Sequence, residues 1–360
     1  MNPRLALIPG ALLLALAADC GAQSHGQERG TPLRLEGLLQ VDGYRYGGDL
    51  GGSDAGMRRA ELMVTGAAAR SARWKVGYDL HARRWLDVKL ALDRGGHALT
   101  LGQFKQPIGL EELTSSHSID FIARAAAIGA LAVGRRAGVG YGYDGGRWQL
   151  GASAFGRGLG ANTAQGTGAA LRALWMPDLG AHRRLHLALA HARHAPEGGA
   201  LRLGARPAAD LADRRLLDSG RFGDVEQMRI SGAEGAYAQG ALKLQAEVLQ
   251  ATLARRAGAR FHADGGYLSA VWNLDGSRWS HRDGQLHADS ARWQLGARLE
   301  HLDLDSAGVE GGRMSAFTLG INWRWREHLR LALNASRVES RRRGVDFAPN
   351  VLGLRAQVDW

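Results

Sequence analysis

Four cationic side chains, Lys105, Arg124, Arg135 and Arg136, gather around one stretch of the chain, GQFKQPIGLEELTSS and the residues that follow it. Nine more recur at alternate positions within stretches that alternate apolar and polar residues: Arg34, Arg59, Lys75, Lys89, Lys243, Arg292, Arg298, Arg330 and Arg355. The chemistry open to such a set is the handling of anions. Arginine offers a planar fork of donors and stays charged at every relevant pH. A row of such groups replaces the water an anion sheds, lowers its entry barrier and repels cations. Conduction needs several weak sites rather than one tight one, so that the ion also leaves. Each side chain also has a plainer reading, an ion pair with a neighbouring carboxylate such as Glu36, Glu61, Asp87 or Glu300. Other chemistries are poorly served. In HLALAHARH a strand sends His191 and His194 to opposite sides, which argues against a metal site. Gly156-x-Gly158-x-Gly160 lacks a βαβ context, and no G-x-S-x-G elbow is present. The residues call for no cofactor and point away from an enzyme.

The elements that must position these cations are strands. LRLEGLLQVDGY places Leu33, Leu35, Gly37, Leu39 and Val41 on one face and Arg34, Glu36, Gln40 and Asp42 on the other. ARWKVGYDLH, WLDVKLALD, ARWQLGARLEHL, AFTLGINWRW, HLRLALNAS and NVLGLRAQVDW behave alike. The pattern predicts sixteen strands, at 33–45, 57–69, 72–82, 84–93, 97–106, 136–144, 146–156, 167–176, 182–193, 228–238, 241–254, 263–274, 291–303, 313–326, 328–338 and 350–360. Most connections after even-numbered strands are short, with 275–290 as the exception, and those at 107–135 and 194–227 are long. An even strand count, short turns at one end and long loops at the other predict an all-β fold, a 16-stranded antiparallel transmembrane β-barrel. A secreted β-sandwich or solenoid also alternates, but rarely keeps strands this long with one face so charged, and no fixed repeat period is present. Trp74, Trp85, Trp293, Trp323, Trp325 and Trp360 fall near strand ends, as an interfacial girdle requires.

The N-terminus agrees with export. Arg4, the apolar run LALIPGALLLALAA and the small residues near Ala22 read as a signal peptide over 1–22, cleaved after Ala22. A lipid anchor at Cys20 is the alternative, against which Asp19 counts. Cleavage removes the only cysteine and leaves 23–32 as a short segment before a barrel domain at 33–360. The net charge of +11 comes almost wholly from arginine, since lysine occurs only at positions 75, 89, 105 and 243. Export argues against nucleic acid as the partner for that charge. Outer-membrane lipids, lipopolysaccharide phosphates and small anions such as phosphate remain.

Within a barrel, the charged segment 107–135 can fold inward as a constriction loop. Pro107 ends the strand before it, Thr114-Ser115-Ser116 can cap or turn the chain, and FIARAAAIGALA is Ala-rich enough for a short helix. Glu111, Glu112 and Asp120 offset its arginines. An ordinary surface loop with a helical tip is the plainer reading of these residues. The loop at 194–227 carries Arg202, Arg206, Arg214, Arg215 and Arg221 and could gather anions at the mouth, bind lipopolysaccharide phosphates or lie solvated on the surface.

LGQFKQPIGLEELTSSHSIDFIARA resembles the strand-to-constriction segment of the phosphate-selective porin O/P family of Gram-negative outer membranes. Resemblance to that family extends to VGRRAGVGYGYDGGRWQLGASAFG, NLDGSRWSHRDGQLHADSARWQLGARLEHLDL, GGRMSAFTLGINWRWREHLRLALNASRVE and the closing NVLGLRAQVDW, but not to 157–227. It implies a sixteen-stranded barrel with an inward constriction loop, a homotrimer, and passage of anions, sometimes phosphate. Two departures bear on that. The loop has no lysine after Lys105, and Ser277-Arg278 is followed by Trp279-Ser280 where the family more often has Pro-Tyr. General anion preference is thus better supported than phosphate specificity. A plugged structural or adhesive barrel and a general solute porin are the alternatives.

Overall fold

The computed structural model describes residues 33–160, 165–288, 290–306 and 308–360. The expected leader, 1–22, and the segment 23–32 lie outside the described residues. Sixteen antiparallel strands make up the wall: β1 (Arg34–Gly47), β2 (Ser53–Ala69), β3 (Ala72–Asp79), β4 (Arg84–Arg94), β5 (His97–Lys105), β6 (Arg135–Asp144), β7 (Trp148–Phe155), β8 (Gly166–Trp175), β9 (Arg183–Pro196), β10 (Val225–Gln239), β11 (Leu242–Arg255), β12 (Phe261–Asn273), β13 (Trp293–Ser306), β14 (Val309–Arg326), β15 (Leu329–Arg342) and β16 (Asn350–Asp359). Each pairs with its sequence neighbours, and β1 pairs with β16 from Leu38↔Asp359 to Gly47↔Asn350. Closure leaves no open edge, the condition for a sheet to cross lipid.

Side-chain parity sets the two faces. Along β12 burial alternates residue by residue, with Phe261, Ala263, Tyr267, Ser269 and Asn273 inward and Leu268 and Trp272 exposed. Leu295, Leu299, Phe317, Leu319, Leu333 and Leu354 continue the outward apolar band. In water such a band would be a liability; against acyl chains it is the surface that inserts. Trp148 stacks on Trp175 and Trp293 on Trp323, with ring centroids 5.9 and 5.1 Å apart, all at the short-turn end. Trp85 stands alone among these tryptophans at the loop end, where β4 begins.

The barrel closes on a glycine. Trp360 exchanges backbone hydrogen bonds with Gly37, N to O at 3.0 and 3.3 Å, and its indole lies where a side chain on residue 37 would be, 2.0 Å from an added Cβ. Gly37→Val therefore expels the terminal indole from the seam. We expect a lower folded yield, read as loss of the heat-modifiable fast-migrating band on gels. A wild-type yield would show that the seam does not depend on this seat.

Two loops fill much of the lumen. Residues 106–134 carry helices α1 (Leu110–Leu113) and α2 (Ala126–Leu131), and residues 197–224 fold above them. Their apolar side chains, among them Ile108, Ile122, Ile128, Leu131, Leu203, Leu217 and Phe222, share one buried cluster with inward residues of the wall such as Leu249, Phe261 and Leu302. The surface-loop reading of 194–227 is thereby corrected: the segment is tucked into the mouth because it brings apolar residues to apolar wall positions. The helix expected over 121–132 is shorter than the composition suggested: it spans Ala126–Leu131, and the chain bends at 120–123, where the carbonyls of Asp120 and Ala123 accept from Asn322 and Arg298 of the wall.

Candidate pore constriction

Strand β5 ends at Lys105, and Gln106 N donates to Gly134 O at 3.0 Å, closing the neck of the inward loop. Past Pro107 the loop crosses the lumen and is fastened to the far wall, β11 to β16, by its own backbone. Arg298 on β13 donates to Ala123 O at 3.0 Å, and Arg330 on β15 to Ile119 O at 2.7 Å and His117 O at 3.1 Å. Asn322 donates to Asp120 O at 2.8 Å, and the Asp120 carboxylate takes Lys243 Nζ at 2.8 Å. Glu111 N donates to Glu247 Oε1 at 2.7 Å. Glycines at inward positions make the seat: an added Cβ at Gly296 or Gly320 would come within 3.1 or 3.3 Å of the Phe121 ring, and one at Gly265 within 2.9 Å of Ala127 Cβ. Below the loop, residues 275–288 of the turn between β12 and β13 also fold inward. Trp279 is buried beside Phe121, under the Lys243 ammonium at 4.1 Å. That is why this turn is long when its neighbours are short.

Fastening on one side leaves open space on the other. Between the loop and β2–β6 lies a cavity of about 360 Å³ lined by Arg58, Arg59, Arg84, Arg124, Arg135 and Arg136, with Glu112 and Asp210 as its acids. Arg58 reaches it through a β-bulge. Gln40 pairs with Arg59 but Val41 with Met57, so Arg58 is the extra residue and both adjacent arginines turn inward. A regular strand would have pointed one of them into lipid, so parity reasoning missed Arg58. Arg84 was missed because it stands at the mouth of β4, where no alternation flags it.

The thirteen cations singled out from the sequence separate by what they touch. Arg124, Arg135 and Arg136 line the cavity. Arg124 also donates to Glu111 O and Thr114 O, at 3.0 and 2.9 Å, and Arg135 pairs with Asp87 at 2.6 Å. Arg136 has no carboxylate partner among the described residues; Nη1 donates to Arg135 O at 2.9 Å and its Nε meets no acceptor. Lys105 turns instead to the end of α1, donating to Glu112 O at 2.5 Å and Thr114 O at 3.0 Å, a C-cap rather than an open anion site. Arg59 pairs with Glu61 at 2.9 Å, Lys75 with Glu36 at 3.5 Å, Lys89 with Asp87 at 3.2 Å, and Arg355 with Asp42 through two bonds of 2.7 Å. Arg34 is exposed at the turn end, and Arg292 borders a small recess there with Arg324 and Arg330. Lys243, Arg298 and Arg330, expected to face the pore, are buried beneath the loop. Their inward direction agrees with parity, but the loop covers them: its carbonyls take the donors of Arg298 and Arg330, and its Asp120 carboxylate takes Lys243.

The upper loop closes the mouth over this cavity. Arg202 and Arg342 flank Asp218, the Arg214 guanidinium lies 4.0 Å from the Phe347 ring centroid, and Asp210 reaches across to Arg58 Nε at 2.6 Å. Asp210 N donates to Tyr44 OH at 3.4 Å. Burial disfavours the charged form of Asp210, yet Arg58 and Arg355 beside it hold its carboxyl below the ordinary carboxylate range.

A closed sixteen-stranded barrel with an apolar exterior, charged and polar side chains lining part of the lumen and a loop narrowing it is the architecture of an outer-membrane porin, a channel rather than an enzyme. The chain belongs to the phosphate-selective porin O and P family, whose model matches residues 39–360. An uncharacterized protein of Caulobacter vibrioides is 28% identical over 366 residues, 91% of this chain and 74% of that one. Among solved structures, in-vitro folded OmpT of Vibrio cholerae in its trimer form is similar with a TM-score of 0.63 at 13% identity, covering 92% of this chain and 100% of that one. The anion-selective porin of Comamonas acidovorans is similar at 0.61 and 12%, covering 92% and 100%. At such identities the likeness is one of fold.

Proposed function

We propose that this porin passes small anions, phosphate among them, by passive diffusion between the inward loop and the β2–β6 wall. The observation that carries this reading is the cavity lined by six arginines against two carboxylates. An anion there exchanges water for guanidinium donors, and Arg136, 5% exposed at the cavity wall and with no carboxylate partner among the described residues, supplies a charge that no acid offsets. Arg124 and Arg135 are partly neutralised by Glu112 and Asp87, at 3.7 and 2.6 Å, which keeps each site weak enough for the ion to leave. That pairing, and a lysine-free loop whose helix α1 is capped by Lys105 from the end of β5, favour general anion preference over tight phosphate binding. Delivery by a cleaved leader and assembly as a homotrimer belong to the same reading. The trimer form of OmpT and the anion-selective Comamonas acidovorans porin, both alike in fold, support it.

The test is the reversal potential of the refolded protein in a planar bilayer under a KCl gradient, repeated with phosphate added. An anion-selective potential supports the reading, and chloride current reduced by phosphate adds a phosphate site. Cation selectivity would sink it. A second reading, a structural barrel with a closed lumen, draws on the buried cluster the two loops share. It requires that no channel current be seen at all.

A further inference from the structure

We infer that the Asp210 carboxylate is a tethered counter-anion: it occupies, from the upper loop, the arginine site that an incoming anion would take, and so sets how strongly this channel holds and prefers anions. The inference rests on the anion-channel reading above and adds a specificity-determining residue to it.

Three observations converge on Asp210. First, its carboxylate lines the arginine cavity, with Oδ2 2.6 Å from Arg58 Nε and 3.8 Å from Arg355 Nη2. Second, the neighbouring arginines draw their carboxylates from the wall or the constriction loop: Glu61 for Arg59, Asp87 for Arg135, Glu112 for Arg124, Asp42 for Arg355. Among the described residues Arg58 has Asp210 alone, supplied by a different loop. Third, the bulge in β2 exists at Arg58, so the wall departs from regular pairing at the residue that meets this carboxylate. Ala209 and Ala212, both buried, and the bond from Asp210 N to Tyr44 OH hold the carboxylate in place, so no ordering cost falls on each encounter. Carboxylates and phosphates offer the same planar or tripodal oxygens to a guanidinium, so either class competes for the position.

The experiment compares wild type, Asp210→Asn, Asp213→Asn and the double variant Arg58→Gln/Asp210→Asn in planar bilayers, under a KCl gradient and with inorganic phosphate as the competing probe. Asp213 lies in the same loop, exposed to solvent, and its change removes the same charge. Asp210→Asn is expected to shift the reversal potential further toward anions. It should also lower the phosphate concentration that halves chloride current by on the order of tenfold, the scale of one charge removed about 4 Å away in a partly wet site. Asp213→Asn should shift both readouts much less, and loss of Arg58 should cancel the gain. Equal effects from the two loop variants, or a gain that survives loss of Arg58, would overturn the inference while the anion-selective wild type stands. A wild type without anion preference would overturn the channel reading and this inference together.

Discussion

Replacing Arg298 with alanine should destabilise the folded barrel by about 3–5 kcal/mol, the range for breaking a buried ion pair by removing one partner. The side chain is 1% exposed and sits between Glu300, 2.9 Å away, and Glu111, 3.3 Å away. It also donates to Ala123 O at 3.0 Å and covers the Phe121 ring with its guanidinium 4.7 Å from the centroid. Alanine leaves two buried carboxylates facing one another and frees a loop carbonyl. Urea unfolding followed by tryptophan fluorescence reads the loss, and channel noise reads the loosened loop. Arg298→Lys keeps the charge but not the fork and should fall between. Arg298→Met with Glu300→Leu and Glu111→Gln removes the uncompensated charges and should regain most of the stability. An alanine variant within about 0.5 kcal/mol of wild type, the range of an ordinary surface change, would show that Arg298 does not hold the loop.

Arg136→Glu is expected to have the largest effect on selectivity. One unit charge at 4 Å is worth about 1 kcal/mol in bulk water and about 4 kcal/mol near a protein surface. Reversal changes the local charge by two, so the anion-to-cation permeability ratio should fall by on the order of tenfold or more. The effect should shrink as salt rises, because the Debye length drops from about 10 Å at 0.1 M to about 3 Å at 1 M. Lys105→Gln should move the ratio far less, because the Lys105 ammonium already faces the carbonyls of Glu112 and Thr114. Equal shifts from the two positions would return Lys105 to the pore and weaken the case for Arg136. The measurement is the reversal potential at both salt concentrations.

Alternation by itself determined the wall of this protein. A strand in a barrel meets lipid on one face and the lumen on the other, so the period of two is imposed at every residue. All sixteen strands stand where the pattern placed them, with shifts at the ends: β2 begins at Ser53, β14 at Val309, and β15 runs to Arg342. The inward direction of Arg59, Lys75, Lys89, Lys243, Arg298, Arg330 and Arg355 follows from the same rule. A bulge escapes it, because one extra residue at Arg58 leaves the composition unchanged while turning a lipid-facing position inward.

Tertiary structure alone decided which of those inward cations the loops cover. The neighbouring carboxylates named from the sequence do pair, Glu61 with Arg59, Glu36 with Lys75, Asp87 with Lys89 and Glu300 with Arg298. The further partners are distant in sequence, on the constriction loop for Arg298 and Arg330 and on the upper loop for Arg58. Faint signals of the filled lumen were present in the sequence. Leu302, Leu304, Met314 and Val338 are apolar at inward positions toward the loop ends of their strands, and Gly296 and Gly320 are empty where polar side chains were due. An apolar lumen wall needs something apolar against it, and a missing Cβ needs something to fill it. Which segment does so depends on free energy summed over two loops and six or more strands, a quantity no single stretch of sequence contains. The strand pattern is local physics repeated along the chain; the pore is the space left after distant segments have packed.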